Sequence, residues 1–186
     1  MTTRTLIAAA IASFAIAGIV PAVAQTTMSP QHNAQTMAKP TTAAAYVATA
    51  QQSDLFEIEA SKIAMQRAQN ASVKGFAQQM VDHHTKASTR FTASVQNAGI
   101  NATTPQIDAE HMKKLSDLRN ASVNAFDKMY MNMQVEGHQK ALNLHQNYAQ
   151  SGDNASLRTA AGAMVPMISE HLVYAQRIST ALVAQR

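Results

Sequence analysis

Cysteine is absent from the 186 residues, which removes disulfides, thiolate metal sites, covalently attached c-type haem and cysteine nucleophiles at one stroke. Stability must therefore come from burial, and the length suffices for a single domain. Glycine and proline are scarce, at 6 and 5 residues, and from Ala43 onward Ala, Gln, Met and Leu abound, a helix-forming composition. No run of alternating apolar residues marks a strand. The net charge is only +4, and basic residues such as Lys62, Arg67, Lys74 and Lys86 are scattered. Nucleic-acid binding wants a basic stripe with aromatic partners, so no nucleic-acid partner is expected. No Glu-x-x-His pair falls on a candidate core helix, which counts against a carboxylate-bridged di-iron centre. Nor does any catalytic signature stand out, so a non-enzymatic role is favoured.

The first two dozen residues read as a secretory signal peptide rather than as folded structure. Met1 to Thr5 carries one positive charge, Arg4, and no acid; Leu6 to Val20 is apolar or small throughout; Pro21-Ala22-Val23-Ala24 ends in an Ala-x-Ala pattern. The apolar stretch is short for a bilayer span, which needs about 20 residues. Cleavage after Ala24 would leave a chain with no further stretch able to cross a membrane, expected in the periplasm or secreted. Residues 25–43, rich in Thr, Gln, Ser and Pro, read as a flexible tether.

Residues 44–184 read as an all-α, up-down four-helix bundle with one short extra helix. Three copies of an Asn-Ala-Ser pattern, at Asn70, Asn120 and Asn154, suit helix N-caps, because Asn and Ser side chains accept hydrogen bonds from a first helical turn. Gly99 and Gly152 suit the position just past a helix end, and Thr104-Pro105 suits a cap followed by proline. The expected helices are 44–68, 72–98, a short one at 105–118, 121–151 and 155–184. Short connections make the first two, and the last two, antiparallel pairs.

Polar residues interrupt the apolar faces. His84 falls amid Val73, Phe76, Ala77, Met80, Ala87, Phe91 and Val95, with His83 on the flank and Asp82 opposite. His171 falls within the stripe Leu157, Ala161, Met164, Ile168, Leu172, Ala175 and Leu182. In 121–151 the apolar stripe is Phe126, Tyr130, Met133, Ala141, Leu144 and Tyr148, and Asp127, Gln134, His138 and His145 run along its edge. The first helix is too uniformly apolar to orient from periodicity. A small-residue face of Ala50, Ser61, Ala64 and Ala68 carries Glu57, whereas Phe56 and Ile63 favour Glu59.

Glu57, His84, His138 and His171 each lie near the middle of their own helix, and a rise of about 1.5 Å per residue puts them in one central layer. One carboxylate and three imidazoles from four helices make a credible metal site, suited to one zinc, copper, iron or manganese ion. The competing reading is a metal-free structural or stress-related envelope protein whose Glu and His form a buried polar network, since burying either unpaired is costly. A third makes Glu57 a base beside a metal-bound water. Met80 and Met167, one turn before core histidines, hint at copper(I) but suit simple core packing better. His145 and Asp127 are expected to be structural, and His111 to cap one end of the bundle. Pro166 removes one hydrogen bond inside the last helix, read here as a packing adjustment.

Several of these stretches together resemble a bacterial exported family, domain-of-unknown-function family 4142, classed with ferritin-like bundles. They are Glu57-Ile58-Glu59 with Ala64, Val73-x-x-Phe76-Ala77-x-x-Met80-Val81 leading to His84-Thr85, Phe126-Asp127-x-x-Tyr130, His138-Gln139-x-Ala141-Leu142, and Pro166 with His171-Leu172. The resemblance spans about Ala45 to Ala181. It implies a ferritin-like bundle in an exported protein of unassigned activity, with the family's acid at Glu57 and its histidines at His84, His138 and His171. One departure stands out: the family has Asp-His in the second helix, whereas Asp82-His83-His84 puts His83 where that Asp belongs.

Overall fold

The computed structural model describes residues 42–101 and 104–184. The expected signal peptide and most of the tether lie outside the described residues; Thr42, within the expected tether, is the N-cap of the first helix, accepting from the Ala45 amide. Five helices follow: α1 (Ala43–Arg67), α2 (Ala71–Asn97), α3 (Ala109–Asn120), α4 (Val123–Ser151) and α5 (Ala155–Ala184). No strand occurs among the described residues, and none of their helices is long and apolar enough to cross a membrane.

The four long helices form the bundle, α1 packing on α2 and α4, and α5 on α4 and α2. The contacts fix their directions. Arg67, at the end of α1, reaches carbonyls at the α3–α4 junction, while Tyr46 near its start stacks on Tyr148 near the end of α4. Phe76 early in α2 meets Tyr174 late in α5. Each long helix is thus antiparallel to both neighbours, and α3 rises along the bundle to join two helices that run the same way. A single long crossover thus joins the two antiparallel pairs.

The caps explain the boundaries. Asn70 accepts from the amides of Ser72 and Val73, and Asn154 from Leu157, as expected of two of the repeated patterns. The third copy departs from expectation. Asn120 ends α3, Ser122 takes the N-cap of α4, and Arg67 donates to the carbonyls of Leu118, Arg119 and Ala121, satisfying a helix end that would otherwise be bare. The short helix also starts later than expected. Asp108, not Thr104, is its N-cap, because a carboxylate at that position bonds the His111 amide at 2.8 Å. Asp127 is structural, accepting from the Gln69 and Asn70 amides at the α1–α2 turn.

Gly99 has φ of 70°, the left-handed turn expected just past α2. Gly152 serves differently: its backbone is extended, and a Cβ there would sit 2.6 Å from the Tyr148 ring, so close approach demands the glycine.

Two apolar clusters result. One gathers Phe56, Ala60, Val73, Phe76, Met80, Leu118, Phe126 and Tyr130. The other gathers Tyr46, Val47, Phe91, Val95, Tyr148, Leu157 and Ala161. His145 is structural as expected, buried in the second region with its Nδ1 2.9 Å from the Tyr46 hydroxyl.

Candidate metal centre

Between the two clusters lies a polar layer to which all four long helices contribute. Helix α1 turns its small-residue face inward: Ala50, Ser61, Ala64 and Ala68 are buried, and Glu57 with them. Glu59 is left outside, paired with Lys62. Phe56 is buried too, so the inward arc of α1 is wide enough to take both expected orientations in part. On α4 the stripe is rotated from the expected one. Gln134, His138 and His145 are at its buried centre, while Met133, Ala141 and Leu144 are only half-buried. Apolar periodicity misassigns this face because its middle is polar.

The structure brings together His84, His138 and His171, none more than 6% exposed. One ring nitrogen from each lies within 4.8 Å of the other two. The ring centroids form a nearly equilateral triangle with sides of 5.6, 5.5 and 5.3 Å. Zinc–nitrogen bonds of 2.0–2.1 Å in a tetrahedron separate nitrogens by about 3.4 Å, so closing the triangle asks for little side-chain movement.

Each imidazole is held from outside. His84 Nδ1–H donates to Asp54 Oδ1 at 2.5 Å. His138 Nδ1–H donates to the Gln134 carbonyl at 2.8 Å, one turn back on its own helix. His171 Nε2 shares a hydrogen bond of 2.9 Å with His83 Nδ1, the two rings stacked. The remaining nitrogens, His84 Nε2, His138 Nε2 and His171 Nδ1, are buried and meet no hydrogen-bonding group of the protein. Outer partners of this kind fix the tautomer and aim the second nitrogen, as they do for imidazoles that ligate metals.

Glu57 stands at the same level but is not one of the three converging donors. Its Oε2 accepts from Gln134 Nε2 at 2.5 Å, and its buried Oε1 has no donor. A Cβ on Gly137 would lie 2.7 Å from that Oε1, so the glycine makes the space the carboxylate occupies.

The electrostatics match the geometry. Burial pushes the Glu57 carboxyl up to about 7, against the pull of His84 and of the Gln134 hydrogen bond. Burial holds His138 down near 4 and His171 near 2, with repulsion from His84 adding to both. For His84 burial also lowers the affinity for a proton, but the hydrogen bond and charge of Asp54, with Glu57 behind it, prevail and raise it. Two imidazoles are therefore neutral at pH 7, the state a metal ligand needs.

Asp54 and His83 carry two of the outer contacts, and sequence reasoning passed over the first and left the second on the flank. The signal for Asp54 was its place three residues before Glu57, on the same helix face. His83 does not replace a carboxylate on His84, since Asp54 supplies one; it orients His171 instead. His111 does not cap an end of the bundle. It packs on Phe56 at 4.6 Å and bonds Asp108, beside the layer, because the late start of α3 carries it there. Met80 is fully buried within the first apolar cluster.

Fold and site together define a four-helix bundle with a buried histidine triangle across its waist. The chain belongs to the family described as a domain of unknown function, DUF4142, whose model matches residues 27–178. A crystal structure of a DUF305 fragment from Deinococcus radiodurans is similar in fold, with a TM-score of 0.64 and 14% identity over 77% of this chain and 99% of that one. No curated protein matches the chain.

Proposed function

We propose that this protein binds one divalent transition-metal ion through His84, His138 and His171, with Glu57 as the fourth donor. The observation that carries the reading is the state of the three imidazoles: each has one nitrogen engaged by Asp54, the Gln134 carbonyl or His83 and the other buried without a partner, and the three rings bring one nitrogen each within 4.8 Å of the others. A purely structural network would be expected to close on itself, because each buried polar atom left unpaired costs about 1–3 kcal/mol. Imidazole-rich donors suit zinc, copper(II), iron or manganese. The pattern of residues 1–24 supports export, so the ion would be taken up outside the cytoplasm, with metal retention or buffering rather than catalysis as the role.

Elemental analysis of untagged protein, followed by cobalt(II) and zinc(II) titration, tests this. About one equivalent is expected, with a metal-dependent rise in melting temperature that His84→Ala abolishes. If the unaltered protein takes up no metal, and His84→Ala lowers stability equally with and without added metal, the layer is a structural network of an envelope protein and the reading fails.

A further inference from the structure

The three imidazoles are nearly sealed from solvent, so an ion needs a way in. On the side of the layer between α2 and α5, His83 lies stacked against His171, with centroids 5.1 Å apart, and covers it. On the opposite side a cavity of about 140 Å³ opens among α1, α3 and α4. At about 30 Å³ of liquid volume per water, it has room for an ion that keeps some of its hydration.

Its lining suits a cation. Phe56, Met133, Ala141 and Leu144 give apolar walls, with Asp108 and His111 beside them. Lys114 and Lys140 also line it, but both are matched: Lys114 Nζ lies 3.0 Å from Glu110 and 3.4 Å from Glu136, and Lys140 Nζ lies 2.6 Å from Glu136. Two ammonium groups against two carboxylates cancel, and Asp108 is engaged by His111 at 3.0 Å, so the charge left over is that of Glu57 when ionised. Glu57 is 3% exposed and lines the cavity, as does Gly137, which has no side chain to cover the free Oε1. The other oxygen is tied to Gln134, whose carbonyl holds His138. Glu57 thus joins the cavity to the histidine layer.

We propose that this cavity is the port through which a divalent transition-metal cation reaches the layer, Glu57 meeting the ion before the imidazoles do. The inference rests on the metal-binding reading above and adds the route and the group that receives the ion first.

Stopped-flow uptake of cobalt(II) by the full chain tests the port, with affinity measured separately by competition with a chelator. Ala141→Leu on α4 and Ser53→Leu on α1 narrow the cavity from two sides, at half-buried positions away from the imidazoles. Both should slow uptake about tenfold or more, within the one to three decades that on-rates span among variants of one site. Release should slow in step, leaving the affinity nearly unchanged. Glu136→Gln, at an exposed position, removes a carboxylate shared by Lys114 and Lys140, leaving both lysines to Glu110 at 3.0 and 4.0 Å, and should slow uptake at low salt but not at high salt. If the unaltered protein binds cobalt but all three variants take it up at its rate, the route lies elsewhere and the port is overturned while the site stands. Equal loss of affinity and on-rate, with release unchanged, would also overturn it, as damage to the site rather than to its access. If the unaltered protein binds no metal at equilibrium, port and ligand set fall together.

Discussion

Gly137→Ala should change sign as a stability mutation according to what occupies position 57. In an ordinary helix interior, glycine to alanine gains about 0.8–1.0 kcal/mol. Here the new Cβ would lie 2.7 Å from Glu57 Oε1. That oxygen ends a long side chain, but the residue is 3% exposed and its other oxygen is bound to Gln134, so it has little freedom to retreat. Overpacking a filled interior costs about 1–3 kcal/mol, and surrendering a hydrogen bond to a buried partner costs about the same again at most. The net expectation is destabilisation by about 1–2 kcal/mol. With Glu57→Ala already present the obstacle is gone, and the same substitution should stabilise by about 1 kcal/mol. Urea denaturation of the four proteins, freed of metal with a chelator, gives the coupling directly, expected at about 2–3 kcal/mol. Equal stabilisation in both backgrounds would show that the carboxylate moves aside freely, and the account of Gly137 as the residue that seats Glu57 would be wrong.

Two further tests address the layer. Metal-free protein should lose stability on acidification between about pH 6.5 and 4.5. His138, His145 and His171 stay neutral when folded, held down near 4, 4 and 2, so in that window the unfolded chain binds three protons that the folded one refuses. Glu57, raised to about 7, works the other way, the folded state keeping one proton that the unfolded chain releases. Three against one leaves two, a slope of up to about 2.7 kcal/mol per pH unit, stability rising with pH. Denaturation midpoints at pH 6.0, 5.5 and 5.0 measure it, and a flat profile contradicts the burial of neutral imidazoles. Asp54→Asn should weaken cobalt affinity about 10- to 100-fold by loosening His84, read by competitive titration; an unchanged affinity removes Asp54 from the support of the site.

The fold was legible because helix composition, short connections and the Asn70 and Asn154 caps all agree. The heights of Glu57, His84, His138 and His171 were legible for a simple reason: a residue midway along each helix of an antiparallel bundle meets the others at the waist. The rotation of α4 was not. Apolar periodicity puts Gln134 and His138 at the edge of the stripe, and the polar layer turns them to its buried centre. The face of α1 is decided by size rather than polarity, Ala60, Ala64 and Ala68 letting neighbouring helices come close, a signal that hydropathy does not carry. Asp54 and His83 escaped because their work is to hold other side chains, which becomes visible only when helices from distant parts of the chain are side by side.

The waist itself reverses where such a bundle is weak. A helical bundle with a continuous apolar core is firmest at mid-length and frays from its tips, but here aromatic clusters sit towards both ends and the unpaired polar atoms lie between them. Each long helix sends one member of the Glu57, His84, His138 and His171 set into that gap. An ion seated there would brace all four at once, and binding free energy would enter as global folding free energy. Hydrogen exchange should then register loading along the whole length of the bundle, because an ion held by all four helices would slow their opening together.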